Sequence, residues 1–185
     1  AAIRSMKAGR TGYSNGSGEP GLLKALAARY SARRGVTIGT NQIMCFPGTQ
    51  TSLFAVLLAM VEAGDEVIVG DPMYATYEGL VAATGAKVVP VPLRPEHGFR
   101  LQAADVAAKI TSRTRVIFLN SPHNPTGSIL SPKDIAEIGA LAQKHDLWLH
   151  AHSDEAALTH IFALAPKAKV IWAHTGFSVT TERVA

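Results

Sequence analysis

Short apolar runs alternate with stretches of helical periodicity along the whole chain. Runs at 67–69, 87–91, 115–119, 147–150 and 169–172 predict five strands. Between them, Leu53, Val56, Leu57, Met60 and Val61 recur at helical spacing, as do Ile135, Ile138, Leu141 and Ala142. A further stripe of Leu22, Leu23, Leu26, Ala27 and Tyr30 predicts a helix near the amino terminus. Ser131-Pro132 with Asp134 reads as a helix start: a capping oxygen, a preset φ and an acid at the positive end of the helix.

Strand, helix, strand at this pitch implies right-handed crossovers, hence an α/β fold with a mostly parallel sheet flanked by helices. Ligands of such sheets gather at the carboxyl ends of the strands. The 185 residues suit one domain, or one domain and a fragment of another, and 47% hydrophobic with 17% charged residues permits a real core. A net charge of +4 favours anionic ligands. Lys and Arg are scattered, with Arg33-Arg34 the single adjacent pair and no aromatics interleaved, which argues against nucleic-acid binding. The lone Cys45 lies in an apolar run and is expected to pack as a small hydrophobe. No apolar stretch is long enough for a membrane helix and no signal-peptide core precedes the first helix, so the expected setting is cytoplasmic. The opening at Ala1, directly into helix-like sequence, suggests a piece of something longer.

Three loops carry candidate chemistry. Pro47-Gly48-Thr49-Gln50 precedes the helix that holds Leu53, where a glycine, a hydroxyl and a helix amino terminus suit a phosphate; a plain turn has the same composition. Asp71-Pro72-Met73-Tyr74-Ala75-Thr76-Tyr77 follows the 67–69 strand; Tyr74 and Tyr77, three apart at a helix start, share a face and could stack on a flat ring or fill the core. Asn120-Ser121-Pro122-His123-Asn124-Pro125-Thr126-Gly127 follows the 115–119 strand, stiffened by two prolines, with Asn124 placed to donate to a ligand oxygen.

Taken together, Pro-Gly-Thr-Gln, Asp-Pro-Met-Tyr and Asn-Pro-Thr-Gly at this spacing resemble the class I/II aminotransferases of pyridoxal-phosphate (PLP) fold type I. The Gly12-Tyr13-Ser14 opening, Gly21-Leu22-Leu23 and Lys144-His145-Asp146-Leu147-Trp148-Leu149 resemble the same family, so the likeness covers about residues 1–149. It implies PLP as cofactor, an amino acid and a 2-oxo acid as substrates, a homodimer, and a partial cofactor domain in this chain. Gly48, Thr49 and Gln50 would hold the cofactor phosphate, Tyr74 would stack on its ring and Asn124 would donate to its phenolic oxygen. The family then expects an Asp paired with the ring nitrogen and, a helix and strand later, the Schiff-base lysine.

Beyond Leu149 the pattern changes. Where the family has a couple of apolar or small residues and then Asp-Glu, this chain reads His150-Ala151-His152-Ser153-Asp154-Glu155, two residues longer. Asp154 is a candidate for the ring-nitrogen partner; alternatively Ser153 caps a helix with Asp154 and Glu155 in its acidic first turn. After Asp154 the lysines are Lys167 and Lys169, at the start of a strand, and the 175–180 stretch has none, so no catalytic residue is assigned. Residues 150–185 resemble barrel-type metal-dependent amidohydrolases, whose strand-end histidines meet at the barrel mouth. That likeness implies His152 and His174 as metal ligands, with His150 beside them, although two histidines do not complete a zinc site. The expectation is therefore an aminotransferase piece, 1–149, joined to a second piece, 150–185, truncated and inactive, with exposed apolar surface that favours self-association.

Overall fold

The computed structural model describes residues 1–152 and 155–172. Expectations at Ser153, Asp154 and His174 fall outside the described residues. Two compact units divide between Ser52 and Leu53.

The first unit holds helices α1 (Ala2–Lys7) and α2 (Pro20–Arg34). Pro20 starts α2 where a missing N–H costs nothing, and Gly35, at φ 63°, ends it in the left-handed conformation. Leu23 and Ala27 are buried and Leu26 and Tyr30 half-buried, as the stripe predicts. Leu22 is exposed instead. One residue is about 100° of helical rotation, so Leu22 falls off the line through positions 23, 26, 27 and 30. Cys45 is a half-buried free thiol, and its backbone N–H donates to the Ser17 carbonyl.

Helix α3 (Thr49–Met60) leads into the second unit. There the strands β1 (Glu66–Asp71), β2 (Lys87–Pro92), β3 (Thr114–Asn120), β4 (Trp148–His152) and β5 (Lys169–Trp172) form one sheet, with helices α4 (Tyr77–Ala82), α5 (Ala103–Ala107), α6 (Pro132–Lys144) and α7 (Glu155–Leu164) between them. Each expected strand is present, within two residues of the sequence reading at each end. The sheet is parallel throughout, in the order β2-β1-β3-β4-β5.

Strand alternation divides the core in two. Ile68, Ile117, Leu119, Leu149 and Ala151 face α5, α6 and α7 and pack with Val106, Ile135, Ile138 and Ile161. Val67, Val69, Val116 and Phe118 point the other way and pack with Leu57, Val61, Tyr77 and Val81. Both faces are covered, which is why the central strands read as unbroken apolar runs. Strand β4 passes without interruption across Leu149–His150, in register with β3 and β5.

The start of α6 is built as the sequence suggests, and more tightly. The Ser131 hydroxyl accepts from the Asp134 N–H at 3.2 Å, and Asp134 Oδ2 accepts from the Ser131 N–H at 2.8 Å. Arg100, far away in sequence, donates to the same carboxylate oxygen at 2.7 Å. On the opposite face of α6, a side chain at Gly139 would meet Ile161 Cγ2 at 3.2 Å, so the glycine sets how closely α7 approaches.

Candidate functional site

From the middle of the sheet the chain winds outward in opposite directions, to β2 on one side of β1 and to β4 and β5 on the other side of β3. The carboxyl ends of β1 and β3 therefore flank a switch point, where outgoing loops leave to opposite sides and a crevice opens. Two of the three loops singled out in the sequence lie there.

At the end of β1, Tyr74 sits in the loop just ahead of α4, and its carbonyl accepts from the N–H of Tyr77, the first residue of that helix. The two rings meet edge to face at 5.6 Å, so the shared face holds although Tyr74 precedes the helix. Tyr77 then packs on Phe118 at 5.0 Å, and Phe118 on His150 at 4.7 Å. This line of rings runs from the β1 loop across β3 to β4. Burial first, and the neighbouring Tyr74 second, raise the Tyr77 phenol above its ordinary value, so it stays protonated. Tyr74, at the end of the line, is half-buried with a braced ring.

At the end of β3, Ser121 turns inward and its hydroxyl accepts from the Leu130 N–H at 3.1 Å. The His123 N–H donates to the Ser128 carbonyl at 2.8 Å and the Gly127 N–H to the His123 carbonyl at 2.7 Å, closing a small loop with exposed Asn124 near its tip. Gly127, at φ 73°, supplies the left-handed step that closure needs. Beneath lies a cavity of about 20 Å³, enough for one water, lined by residues that include Gly70, Tyr77, Asn120 and His123. Burial lowers the basicity of His123 below the ordinary histidine value.

In the first unit, Gly48 takes φ 97°, a conformation that strains any residue with a side chain, and α3 begins at the next residue. The Thr51 hydroxyl is turned back to the Pro47 carbonyl at 3.1 Å and that of Ser52 to the Gly48 carbonyl at 3.2 Å. No acidic residue occupies the first turn of this twelve-residue helix, so its positive end is not neutralised from within. Thr49 is exposed and Gln50 half-buried. An anion is the ligand such a turn suits.

Beyond β3, the backbone of His152 closes β4 beside Asn120, its partner in the register. His150, which the metal reading sets beside His152, is buried against Phe118 as part of the core. Lys169 pairs with Trp148 at the amino ends of β4 and β5, the opposite end of the sheet from Asn120 and His152. Its ammonium lies 2.6 Å from Asp146 Oδ1 and over the Trp148 ring. The Lys167 N–H donates to Gln143 Oε1 at that same end. The polar line from His123 through Thr126 to Ser128 was not foreseen as functional; its one signal in the sequence is the density of hydroxyl and imidazole groups around Asn124-Pro125.

The family model for aminotransferase class I and II matches residues 1–169, beyond the expected boundary at Leu149. The arginine–pyruvate transaminase of Pseudomonas aeruginosa is 46% identical over 149 residues, which are 80% of this chain and 38% of that protein. Among solved structures, an aspartate aminotransferase mutant from Thermus thermophilus superposes with a TM-score of 0.69 at 33% identity, over 82% of this chain and 40% of the other. The maleate complex of the T. thermophilus enzyme reaches a TM-score of 0.71 at 29% identity, over 94% of this chain and 47% of that one. This chain belongs to the class I and II aminotransferases. It spans about two fifths of the length of the curated relatives it matches. Pyridoxal 5'-phosphate is the cofactor that membership implies, and each unit taken by itself offers groups that suit a part of it: an anion-seeking turn in the first, and a braced half-buried ring and an exposed amide in the second.

Proposed function

We propose that this chain is the front part of an aminotransferase cofactor domain, descended from enzymes that move an amino group from an amino acid to a 2-oxo acid. As it stands, it binds PLP without turning over substrate. The observation that carries the reading is the Asn-Pro-Thr-Gly loop at the carboxyl end of β3, at the switch point, within a family match covering most of the chain. Gly48, Thr49 and Gln50 would hold the cofactor phosphate, Tyr74 would lie against the ring and Asn124 would donate to the phenolic oxygen. When bound, PLP supplies an electron sink, a function that requires a protonated ring nitrogen. Asp154 is the carboxylate proposed to keep it so.

Titration of the chain with PLP, followed by absorbance and tyrosine fluorescence, tests these roles. Asn124→Ala and Thr49→Ala are each expected to weaken binding about three- to tenfold, the scale of one hydrogen bond to a charged or polar ligand group. Pyridoxal, which lacks the phosphate, is expected to bind more weakly than PLP. Equal binding of the two, with no effect of either substitution, would remove the reading.

A separate ancestry for residues 150–185 is proposed on the strength of His150-Ala151-His152 standing where the family has a couple of apolar or small residues and then Asp-Glu, and the family match over residues 150–169 counts against it there. A metal site at His152 and His174 is the competing reading. Among the described residues no group of three or more histidine, cysteine, aspartate or glutamate side chains is placed to share a metal. Stoichiometric zinc in purified protein would revive it. Homodimer formation in a cytoplasmic setting belongs to the same proposal, supported by exposed Ile3, Met6 and Tyr13; sedimentation as a monomer would count against it.

A further inference from the structure

The loop around Asn124 contains a chain of hydrogen bonds that, with every bond of it made, assigns its protons in one way. The Ser128 hydroxyl donates to the Phe99 carbonyl at 2.8 Å, which uses its single proton. Its oxygen is then the acceptor for the Thr126 hydroxyl at 3.2 Å, which uses the proton of Thr126. Thr126 Oγ1 lies 2.8 Å from His123 Nδ1, and with no proton left to give it must accept. His123 is therefore the donor, in its Nδ1–H tautomer, and its burial favours the neutral ring. The far end of the chain is anchored as well. Phe99 is packed against the core below α5 and α6, and its own N–H donates to the Arg94 carbonyl at 2.9 Å.

We propose that His123 is a positioning residue for Asn124: its Nδ1–H, relayed through Thr126 and Ser128 to the Phe99 carbonyl, fixes the loop tip that presents the Asn124 amide to the cofactor. The inference rests on the reading of Asn124 given above. Three parts of the loop are tied together by it, because the His123 backbone also pairs with Ser128 and Gly127. Asn124 and Pro125 then span a frame whose two ends, His123 and Thr126, are bonded side chain to side chain. The imidazole is half-buried beside the cavity under the loop, so it could also act merely by filling space. Those two roles predict different variants to be tolerated.

An asparagine amide nitrogen occupies the δ position, where Nδ1 stands, whereas a glutamine amide nitrogen occupies the ε position and fills more volume. PLP titration of the full chain is combined with hydrogen exchange at the Gly127 and Ser128 amides. His123→Asn is expected to bind PLP within about twofold of the parent, and His123→Gln about fivefold or more weakly, with faster exchange at both amides. Thr126→Ser should retain affinity and Thr126→Val lose it, an independent pair should a His123 variant fold poorly. Asn124→Ala is expected to lose affinity with exchange unchanged. If Asn124→Ala weakens PLP but His123→Gln does not, or if His123→Gln outperforms His123→Asn, the positioning role is overturned while the reading of Asn124 stands. If Asn124→Ala leaves PLP binding intact, the reading of Asn124 fails and the positioning role with it.

Discussion

Reduced with borohydride after loading with PLP, this chain is expected to yield no preferentially labelled lysine, and its transamination rate is expected to match that of free PLP. The reason is placement. Lys169 starts β5 at the amino end of the sheet, in register with Trp148, and its ammonium is held by Asp146 at 2.6 Å. Four residues of parallel strand separate Trp148 from His152 at the ligand end, roughly 13 Å at the usual rise. A lysine side chain reaches about half that distance and would first have to leave its carboxylate. Lys167 lies before the same strand, and residues 173–185 contain no lysine at all. On the proposed reading, with neither Lys167 nor Lys169 at the ligand end to anchor the cofactor and move the substrate proton, these 185 residues would supply only hydrogen bonds and stacking. Family members with that amine gain many orders of magnitude over the uncatalysed reaction. The check is peptide mapping for a phosphopyridoxyl group, run beside an amino-acid turnover assay. Traces scattered over exposed lysines such as Lys24 and Lys133 are the expected background. One dominant lysine together with turnover would show that the amine had been misplaced.

For stability, the largest single effect is expected at Asp134, where alanine should cost about 2–4 kcal/mol in urea unfolding. Its carboxylate is only about one-tenth exposed. It accepts from the Ser131 N–H at 2.8 Å, the Ser131 hydroxyl at 2.7 Å and Arg100 Nη1 at 2.7 Å. Removing it takes away one end of the α6 cap and leaves Arg100 without that partner. Arg100 is more than a third exposed and can rehydrate, which keeps the expected cost below that of a fully buried pair. Ser131→Ala, which removes only the capping hydroxyl, should cost about 1 kcal/mol. Equal losses for the two variants would mean that the Arg100 contact adds nothing.

Much of this fold was legible along the chain because its signals are local. Short apolar runs mark the five strands and helical periods the long helices, and Ser131-Pro132 with Asp134 marks the start of α6 with the atoms that cap it. Gly48 and Gly127 stand where the backbone takes positive φ, and both fall in loops already singled out by their residues. The resemblance of those loops to the aminotransferases placed Tyr74 and Asn124 in one functional reading before any strand order was known.

The tertiary structure decided what depends on which strand lies beside which. The order β2-β1-β3-β4-β5 places the switch point between β1 and β3, and no period along the chain encodes it. It also sets the surroundings of His150. By its sequence that residue is a strand-end histidine suited to a metal, but the register sets it beside Phe118, whose ring it contacts in the core. Arg100 reaches Asp134 across 34 residues, and Ser128 reaches the Phe99 carbonyl across 29. A periodicity reports which way a side chain faces from its own element; the partner it meets there comes from another element, brought alongside by packing.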